Sequence, residues 1–554
     1  MKIPNALVVF LVYGCASLAP SLRGETLYNG IVLPHDWPPA GQSLDRGTRP
    51  PLSYLQEPPH PIPIDVGRQL FVDDFLIEQT TLKTTHHLPE YLPASPVLVA
   101  DQPWEGTHAA PFSDGVWYDP ETRLFKMWYW AAGGAQTEKR AVTCLATSAD
   151  GIHWQKPACD VVPGTNIVVV DEPGETRNSS TVWLDAKEAN PERRFKMFHN
   201  MRMKSREWHF RLSYSADGIH WVNGPVSSAG SDRSTFFYNG FRNVWVASLR
   251  SGGPLGERAR AYYESPSVEQ VLKWKPESRR RDVDWMVADD LDPSREDLQL
   301  WRTPDRPFDL TPSQLYNLDC VAYESVLLGL FSVWRGQQIR PLPKINELCV
   351  GYSRDGFHWS RPDRRAFCPV KANEPVWNSG NLQSAGGCCL VVGDKLHFYV
   401  GAVAKDSKFP DPMNVGLALL RRDGFASMDA DETEGTLTTR EITFKGKYLF
   451  VNAAVPDGEL RVELLDAKGE PIAPFTAANC VPVKGDQTKQ LVTWNSAKDL
   501  SPLAHQPVKV RFHLRRGALY AFWVSEDEGG ASNGFVAAGG PGFDGPIDRP
   551  EAKD

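Results

Sequence analysis

The chain has 554 residues, with 60 Lys and Arg against 68 Asp and Glu, for a formal charge of −8. That length exceeds one ordinary globular domain, and so mild an acidity argues against a nucleic-acid groove. With 44 Gly, 45 Pro, 18 Trp and 16 Tyr in a chain 41% hydrophobic and 23% charged, the composition describes a large, aromatic core broken by frequent turns. This excludes a coiled coil, a helical bundle or a disordered chain and favours a β-rich protein.

Lys2, the apolar run Ala6 to Tyr13 and the small residues Cys15, Ala16, Ser17 and Ala19 read as an export signal over residues 1–24. The mature chain is therefore expected to be extracytoplasmic, with lipid attachment through Cys15 as the alternative to ordinary cleavage. No later stretch has the roughly 18 apolar residues that cross a bilayer. Eight cysteines remain beyond Cys15. None forms a CxxC pair, so a zinc site is not expected; Cys144 with Cys159 and Cys349 with Cys368 are candidate disulfides, with free buried thiols as the alternative. Nine prolines between Pro34 and Pro63 predict an extended linker over residues 25–66. QLFVDDFLI, from Gln69 to Ile77, then predicts a strand, and a second strand is expected from Pro96 to Val99.

Internal repetition is the strongest signal. SADGIHW begins at Ser148 and again at Ser215, SRDGFHW begins at Ser353, and a degenerate RRDGF begins at Arg421. The spacing is close to 68 residues or twice that, and YYESPSVEQVLKW occupies the place where one copy is missing. Each unit opens with a polar cluster, a short apolar strand, a turn and an aromatic strand: SDGVWYDPETRLFKMWYWAAG from Ser113, SSTVWLDAKEANPERRFKMFHN from Ser179, STFFYNGFRNVWVASLR from Ser234, LDCVAYESVLLGLFSVW from Leu318 and GGCCLVVGDKLHFYVGA from Gly386. Five units of four strands predict an all-β fold, a five-bladed β-propeller over residues 67–430, closed by the strand from Gln69. Within the repeated motif, Asp150, Asp217 and Asp355 are expected to bond a tight turn, Gly to supply positive φ and Trp to pack on the blade, with the histidines on the surface. After Asp431 separated alternating strands predict a C-terminal β-sandwich over residues 431–525, and the Gly- and Pro-rich end, residues 526–554, a flexible tail.

In a propeller the innermost strands face a central channel, so polar groups at their starts converge. These are His108 and Asp114 in unit one, Glu175, Arg177 and Asn178 in unit two, Asp232 and Arg233 in unit three, Tyr316, Asn317 and Asp319 in unit four, and Asn378, Asn381 and Gln383 in unit five. Asp114 aligns with Asp319, and Asp119 with Glu324 at the far turn. Several carboxylates around one pit, beside Arg and Asn, suit glycosidic cleavage, which needs one carboxylic acid to protonate the leaving oxygen and one carboxylate to attack or activate water.

Five blades followed by a sandwich, the blade-one SDGVWYDPETRLFKMWYWA and the DGxxW turns resemble glycoside hydrolase families 32, 43 and 68, the invertase, levanase and arabinanase superfamily, over roughly Gln69 to Val524. The resemblance implies a blade-one nucleophile or base, and Asp114, between Ser113 and Gly115, stands in that place. Where that superfamily has Arg-Asp-Pro in blade two, this chain has Arg177, Asn178 and Ser179. Its blade-three Glu corresponds to Asp232 before Arg233, while Asp319 before Cys320 lies in blade four. The chain thus resembles a divergent branch. The expected roles are Asp114 as nucleophile or base, Asp232 or Asp319 as acid or orienting group, Glu324 as a reserve acid, and His108, Arg177, Asn178, Arg233, Tyr316 and Asn381 as sugar ligands.

The expected activity is secreted glycosidase action in poly- or oligosaccharide degradation, with a carbohydrate as partner and no nucleic acid. A non-catalytic carbohydrate-binding propeller is the first alternative. A sialidase-like enzyme is the second, fitting less well because that class has six blades. No cofactor motif is visible, and although channel carboxylates and carbonyls could take a structural Ca²⁺, no EF-hand loop is present.

Overall fold

The computed structural model describes residues 24–40, 44–47, 49, 51–203, 205–227, 229–274, 283–292, 294, 312–336, 344–372, 374–404 and 412–550. Residues 1–23, which hold almost all of the expected export signal, and most of the segment 278–312 lie outside them. The described residues are almost wholly β.

Five sheets form the blades of a propeller. Blade one runs from its inner strand Ala110–Asp119 through Leu124–Ala131 and Val142–Ser148 to Ile167–Val170, and blade two from Thr176–Leu184 through Phe195–Arg202 and Trp208–Ser215 to Val222–Val226. Blade three runs from Thr235–Asn239 through Val244–Gly252 and Arg258–Ser265 to Val283–Val287, and blade four comprises Gln314–Glu324, Val326–Trp334 and Asn346–Ser353. Blade five joins Gly380–Ser384, Lys395–Val403 and Met413–Arg421 to Glu90–Tyr91 from the N-terminal side. The ring is therefore closed by chain near Tyr91 and by Leu98, which bridges Val415, and not by the strand from Gln69 as expected. Gln69–Leu70 pairs instead with Gly517–Ser525 in the C-terminal sheet.

The repeated turn is the fastener between blades. In each complete copy the Asp accepts two backbone N–H bonds, as Asp150 Oδ1 does from Ile152 and His153, both at 2.8 Å. Its second oxygen meets the His ring, and Gly151, Gly218 and Gly356 take φ of 75°, 81° and 88°. The turn then docks on the preceding blade. Gly151 O accepts from Tyr399 Oη at 2.5 Å, Gly218 O from Trp128 Nε1 at 2.8 Å, and Phe357 O from Trp285 Nε1 at 2.7 Å. The two degenerate units keep the logic with other atoms. Glu269 of blade three meets Tyr214 and Arg193 of blade two, and Asp423 of blade five accepts from Tyr323 of blade four at 2.6 Å. His153 and His220 stay on the exposed side.

Beyond the propeller, nine strands hydrogen-bond into one sheet rather than into two separate ones, organised on the long strand Tyr448–Leu465. Its first half pairs with Gly517–Ser525 and its second half with Lys509–Arg515. Three strands before the propeller, Gln69–Leu70, Ile77–Thr80 and Lys83–His86, join this sheet. Residues such as Phe71, Phe75, Val451, Val462 and Phe512 form a core separate from that of the blades.

Two expectations need correction. The proline-rich stretch is not a free linker: Leu27, Ile31, Leu33, Tyr54, Ile62 and Ile64 are buried, and Ile62–Pro63 pairs with Ile442–Thr443. Prolines bar regular pairing, but the apolar residues between them still find the C-terminal core. The C-terminal segment is not a flexible tail either. It forms a strap in which Phe535–Val536 pairs with Tyr323 and Glu324, and Ala538 and Gly539 bond to Tyr118, Cys389 and Val391. Low hydrophobicity misled here, because small residues suit a strap whose backbone supplies the bonds. All eight described cysteines are free and buried, so the candidate pairs Cys144 with Cys159 and Cys349 with Cys368 are not disulfides.

Candidate active site

The inner strands are irregular at the same end. Pairing slips between Ala110 and Gly115 in blade one, Arg177 and Ser179 in blade two, Leu315 and Asn317 in blade four, and Gly380 and Gln383 in blade five. Ser113, Arg233 and Asn381 adopt positive φ of 61°, 58° and 44°. A bulge turns a side chain off the alternating pattern, and strained backbone of this kind clusters at functional sites. Here the bulges leave Asn178 and Tyr316 out of register at the channel mouth.

The floor of the site is built around two acids. Asp319 Oδ2 accepts from Ser113 Oγ at 3.0 Å, Asn317 Nδ2 at 3.1 Å and Ser384 Oγ at 2.5 Å, linking blades one, four and five. These bonds reach across the channel at that level. Burial pushes the Asp319 carboxyl up, against the pull of Ser384, Ser113, Arg233 and Arg260. Asp114 is fully buried, with Arg177 Nη1 3.7 Å from its Oδ1. Ser180 and the Trp130 amide lie nearby and temper its charge, but among the described residues none donates a well-formed hydrogen bond to either Asp114 oxygen. Burial outweighs Arg177, and the carboxyl is pushed up to about 7.

Above this floor lies a mixed rim. Asn178 Nδ2 donates to Asp232 Oδ1, and Arg258 Nη2 reaches Asp232 Oδ2 at 3.1 Å. Arg233 Nη2 donates to Gln383 Oε1 at 2.6 Å, and its guanidinium lies over Phe112. Phe112 leans on Trp130, against which His108 packs at 5.2 Å, with His108 Nδ1 2.8 Å from Thr107 Oγ1. Asn381 Oδ1 accepts from Asn346 at 2.9 Å and Gln383 at 3.1 Å. Tyr316 packs edge-on to Trp334.

The structure thus brings Asp114, Asp319, Asp232, Arg177, Asn178, Arg233, Tyr316 and Asn381 to one end of the ring, with His108 beside them. Glu324 is elsewhere. It ends the strand on which Asp319 lies, five residues on and so roughly 17 Å away. There it is fully buried and bound by Arg422 at 3.2 Å, the Arg68 amide at 3.1 Å and Ser532 Oγ at 2.7 Å. This is a joint between propeller, C-terminal sheet and strap, so Glu324 is not a reserve acid of the channel. Glu175 is also engaged, by Arg211 at 2.8 Å.

Several site residues escape a reading of strand starts. Arg258 and Arg260 project from the third strand of blade three, and their RARA spacing, two cations on one strand face, is a signal the sequence does carry. Lys344, Ser113 and Ser384 carry none that repeats. Among the described residues no group of three or more His, Cys, Asp or Glu side chains is arranged to hold a metal ion, and no helix is long and apolar enough to cross a membrane.

No family model and no curated protein matches the chain. Solved structures similar to it include an N-acetylgalactosamine deacetylase from F. plautii in complex with blood group B trisaccharide, at 14% identity and TM-score 0.37 over 59% of this chain and 97% of that one. A fructofuranosidase from Schwanniomyces occidentalis complexed with fructose is 10% identical, with TM-score 0.36, over 79% of this chain and 97% of that one. A structure from the GH130 family of mannoside phosphorylases, which contains glycoside hydrolases that target beta-1,2 mannosidic linkages in Candida mannan, is 12% identical, with TM-score 0.39, over 65% of this chain and 99% of that one. Likeness at this level does not define a reaction, which has to come from the site.

Proposed function

We propose that this propeller acts on glycans at the mouth of its channel and that it is a glycosidase. One observation carries the reading. Asp114 is a buried carboxyl with no well-formed hydrogen bond, pushed up to about 7 beside Arg177. A buried acid left unsatisfied is destabilising, and carboxyls raised in this way cluster at sites where a proton is exchanged near neutral pH. Asp114 is then the group that exchanges the proton. Asp232, held by Arg258 and Arg250 on the more open rim, supplies the second carboxylate, and Asp319 orients the floor through Ser113, Asn317 and Ser384. Arg177, Asn178, Arg233 and Asn381 offer donors to sugar hydroxyls. With the leading 24 residues read as an export signal, this work would lie outside the cytoplasm, in polysaccharide degradation.

A second reading, a glycan-binding propeller without catalysis, is favoured by the complete burial of Asp114, which a substrate reaches only by displacing neighbouring side chains. Product release from a panel of plant and marine polysaccharides, followed by mass spectrometry for wild type and Asp114→Asn, decides between them. Sugar released by wild type alone supports the glycosidase. Silence across the panel with glycan binding retained by both proteins leaves the binding propeller.

A further inference from the structure

The rim carries more positive charge than its acids balance. Lys344 Nζ lies 3.7 Å from the centre of the Tyr316 ring and 4.7 Å from that of Trp334. Arg258 stacks at 4.3 Å on the same Tyr316 ring, and Arg233 stands 5.5 Å from it. Arg250 adds a fourth cation, 3.8 Å from Asp232. Among the described residues Asp232 is the one carboxylate within 4.0 Å of any of these four, and it is shared by Arg258 and Arg250. Arg260 beneath is fully buried and is held by the carbonyls of Arg233, Tyr316 and Ser248 rather than by a carboxylate. Among the described residues Arg233 Nε and Arg258 Nη1 are buried with no acceptor, and the Arg233 side chain is almost wholly enclosed.

Cations gathered this closely repel one another, and unpaired guanidinium N–H groups shut away from water are destabilising unless an acceptor arrives. The surroundings register that excess. Burial pushes the Tyr316 phenol up, yet Lys344, Arg233 and Arg258 together hold it below the usual tyrosine value. Burial, with Arg258 and Arg233, holds Lys344 below the usual lysine value despite Tyr316. A neutral sugar gives such a cluster only hydroxyl oxygens, whereas an oxyanion on the ring neutralises it and accepts the charge-assisted bonds that arginine makes best.

Resting on the glycan-acting reading, we propose that this rim receives the acidic group of an anionic sugar, a uronate carboxylate or a sulfate ester, on Arg233, Arg258 and Lys344 beside Tyr316. The aromatic faces of Tyr316 and Trp334 serve the apolar face of the same sugar.

Calorimetric titration tests this with short oligogalacturonates beside their carboxyl-reduced forms, and with sulfated galactan oligosaccharides beside their desulfated forms. The full-length protein and Lys344→Met are compared, and Arg250→Gln on the more exposed rim serves as a second variant if Lys344→Met melts early. At least one acidic series should bind about tenfold or more tightly than its neutral partner, with the preference shrinking as salt rises and falling away in the variant. The arm that binds says whether carboxylate or sulfate is read. Equal binding of acidic and neutral forms overturns the inference and leaves the glycan reading standing, whereas no binding of either form overturns the inference and leaves the glycan reading to the polysaccharide panel. Inorganic sulfate binding as tightly as the sulfated sugar also overturns it, because the site then holds a free anion. Equal loss of neutral and acidic ligands in the variant overturns it as well, because Lys344 then only shapes the site.

Discussion

Ser113 Oγ donates a 3.0 Å hydrogen bond to Asp319 Oδ2, joining blades one and four, which are not neighbours in the ring. The bond crosses the channel, so the two halves of the site are braced against each other below the mouth. Asp319 also receives Asn317 and Ser384. Replacing it by Ala removes the acceptor of the buried Ser113 and Ser384 hydroxyls, each worth about 1–3 kcal/mol, and leaves Asn317 Nδ2 with Ser113 Oγ alone. Asp319→Ala should therefore unfold at markedly lower denaturant than Asp319→Asn, which keeps one acceptor oxygen. Equal midpoints would show that the cross-channel bonds carry no stability.

Asp114→Asn should fold normally and lose turnover by roughly 10²–10⁴ if Asp114 handles the proton. It also makes a prediction free of substrate. Below the ordinary value of 3.8 the acid is neutral folded and unfolded; between there and about 7 the unfolded chain has released a proton that the folded chain keeps. Stability due to this group is thus present at low pH and lost as pH rises through about 7. Asp114→Asn should match wild type near pH 4 and exceed it by up to about 4 kcal/mol at pH 8. A pH-independent difference in melting would contradict the raised carboxyl.

Glu324 ties Arg422, Arg68 and Ser532 together at the far end of the blade-four inner strand. Glu324→Gln leaves two buried arginines undercompensated, an expected loss of about 3–5 kcal/mol. Turnover per folded molecule should not change. A variant of full stability and lost activity would return Glu324 to the chemistry.

In Asp217 burial is outweighed by the His220 and Ile219 amides and the His220 ring, which hold the carboxyl below the usual carboxylate range. The turn they fix is the one on which Trp128 docks. Asp217→Asn should lower stability by about 1–2 kcal/mol, measured by chemical denaturation, with glycan binding intact.

The strap after Ser525 covers the end of the ring away from the mouth, with Val536 and Ala538 buried. Deleting residues 526–554 should lower the melting temperature by at least about 5 °C and expose apolar surface to a reporter dye. An unchanged melt would make the strap a passive end.

The number of blades was legible in the sequence because one local device, the Ser-x-Asp-Gly turn, whose bonds lie within a few residues, recurs in three blades at a spacing of about 68 residues or twice that, with a degenerate copy in a fourth. Local chemistry of that kind marks itself wherever it recurs. The inner-strand starts were legible for the same reason, which brought Asp114, Asp319, Asp232 and Arg233 to notice together. What closes the ring was not legible. Gln69–Leu70 and Glu90–Tyr91 have comparable claims as strands, and the choice between the C-terminal sheet and blade five is made by partners more than 300 residues away. The fate of Glu324 was hidden likewise, since it aligns with Asp119 yet is claimed by Arg68, Arg422 and Ser532 from three distant segments. Sequence alone determined the repeating architecture and the polar character of one channel end. Only the tertiary structure decided which acids are sealed, which are paired and where cations outnumber them, because burial and charge balance depend on groups that the chain brings together from opposite sides of the ring.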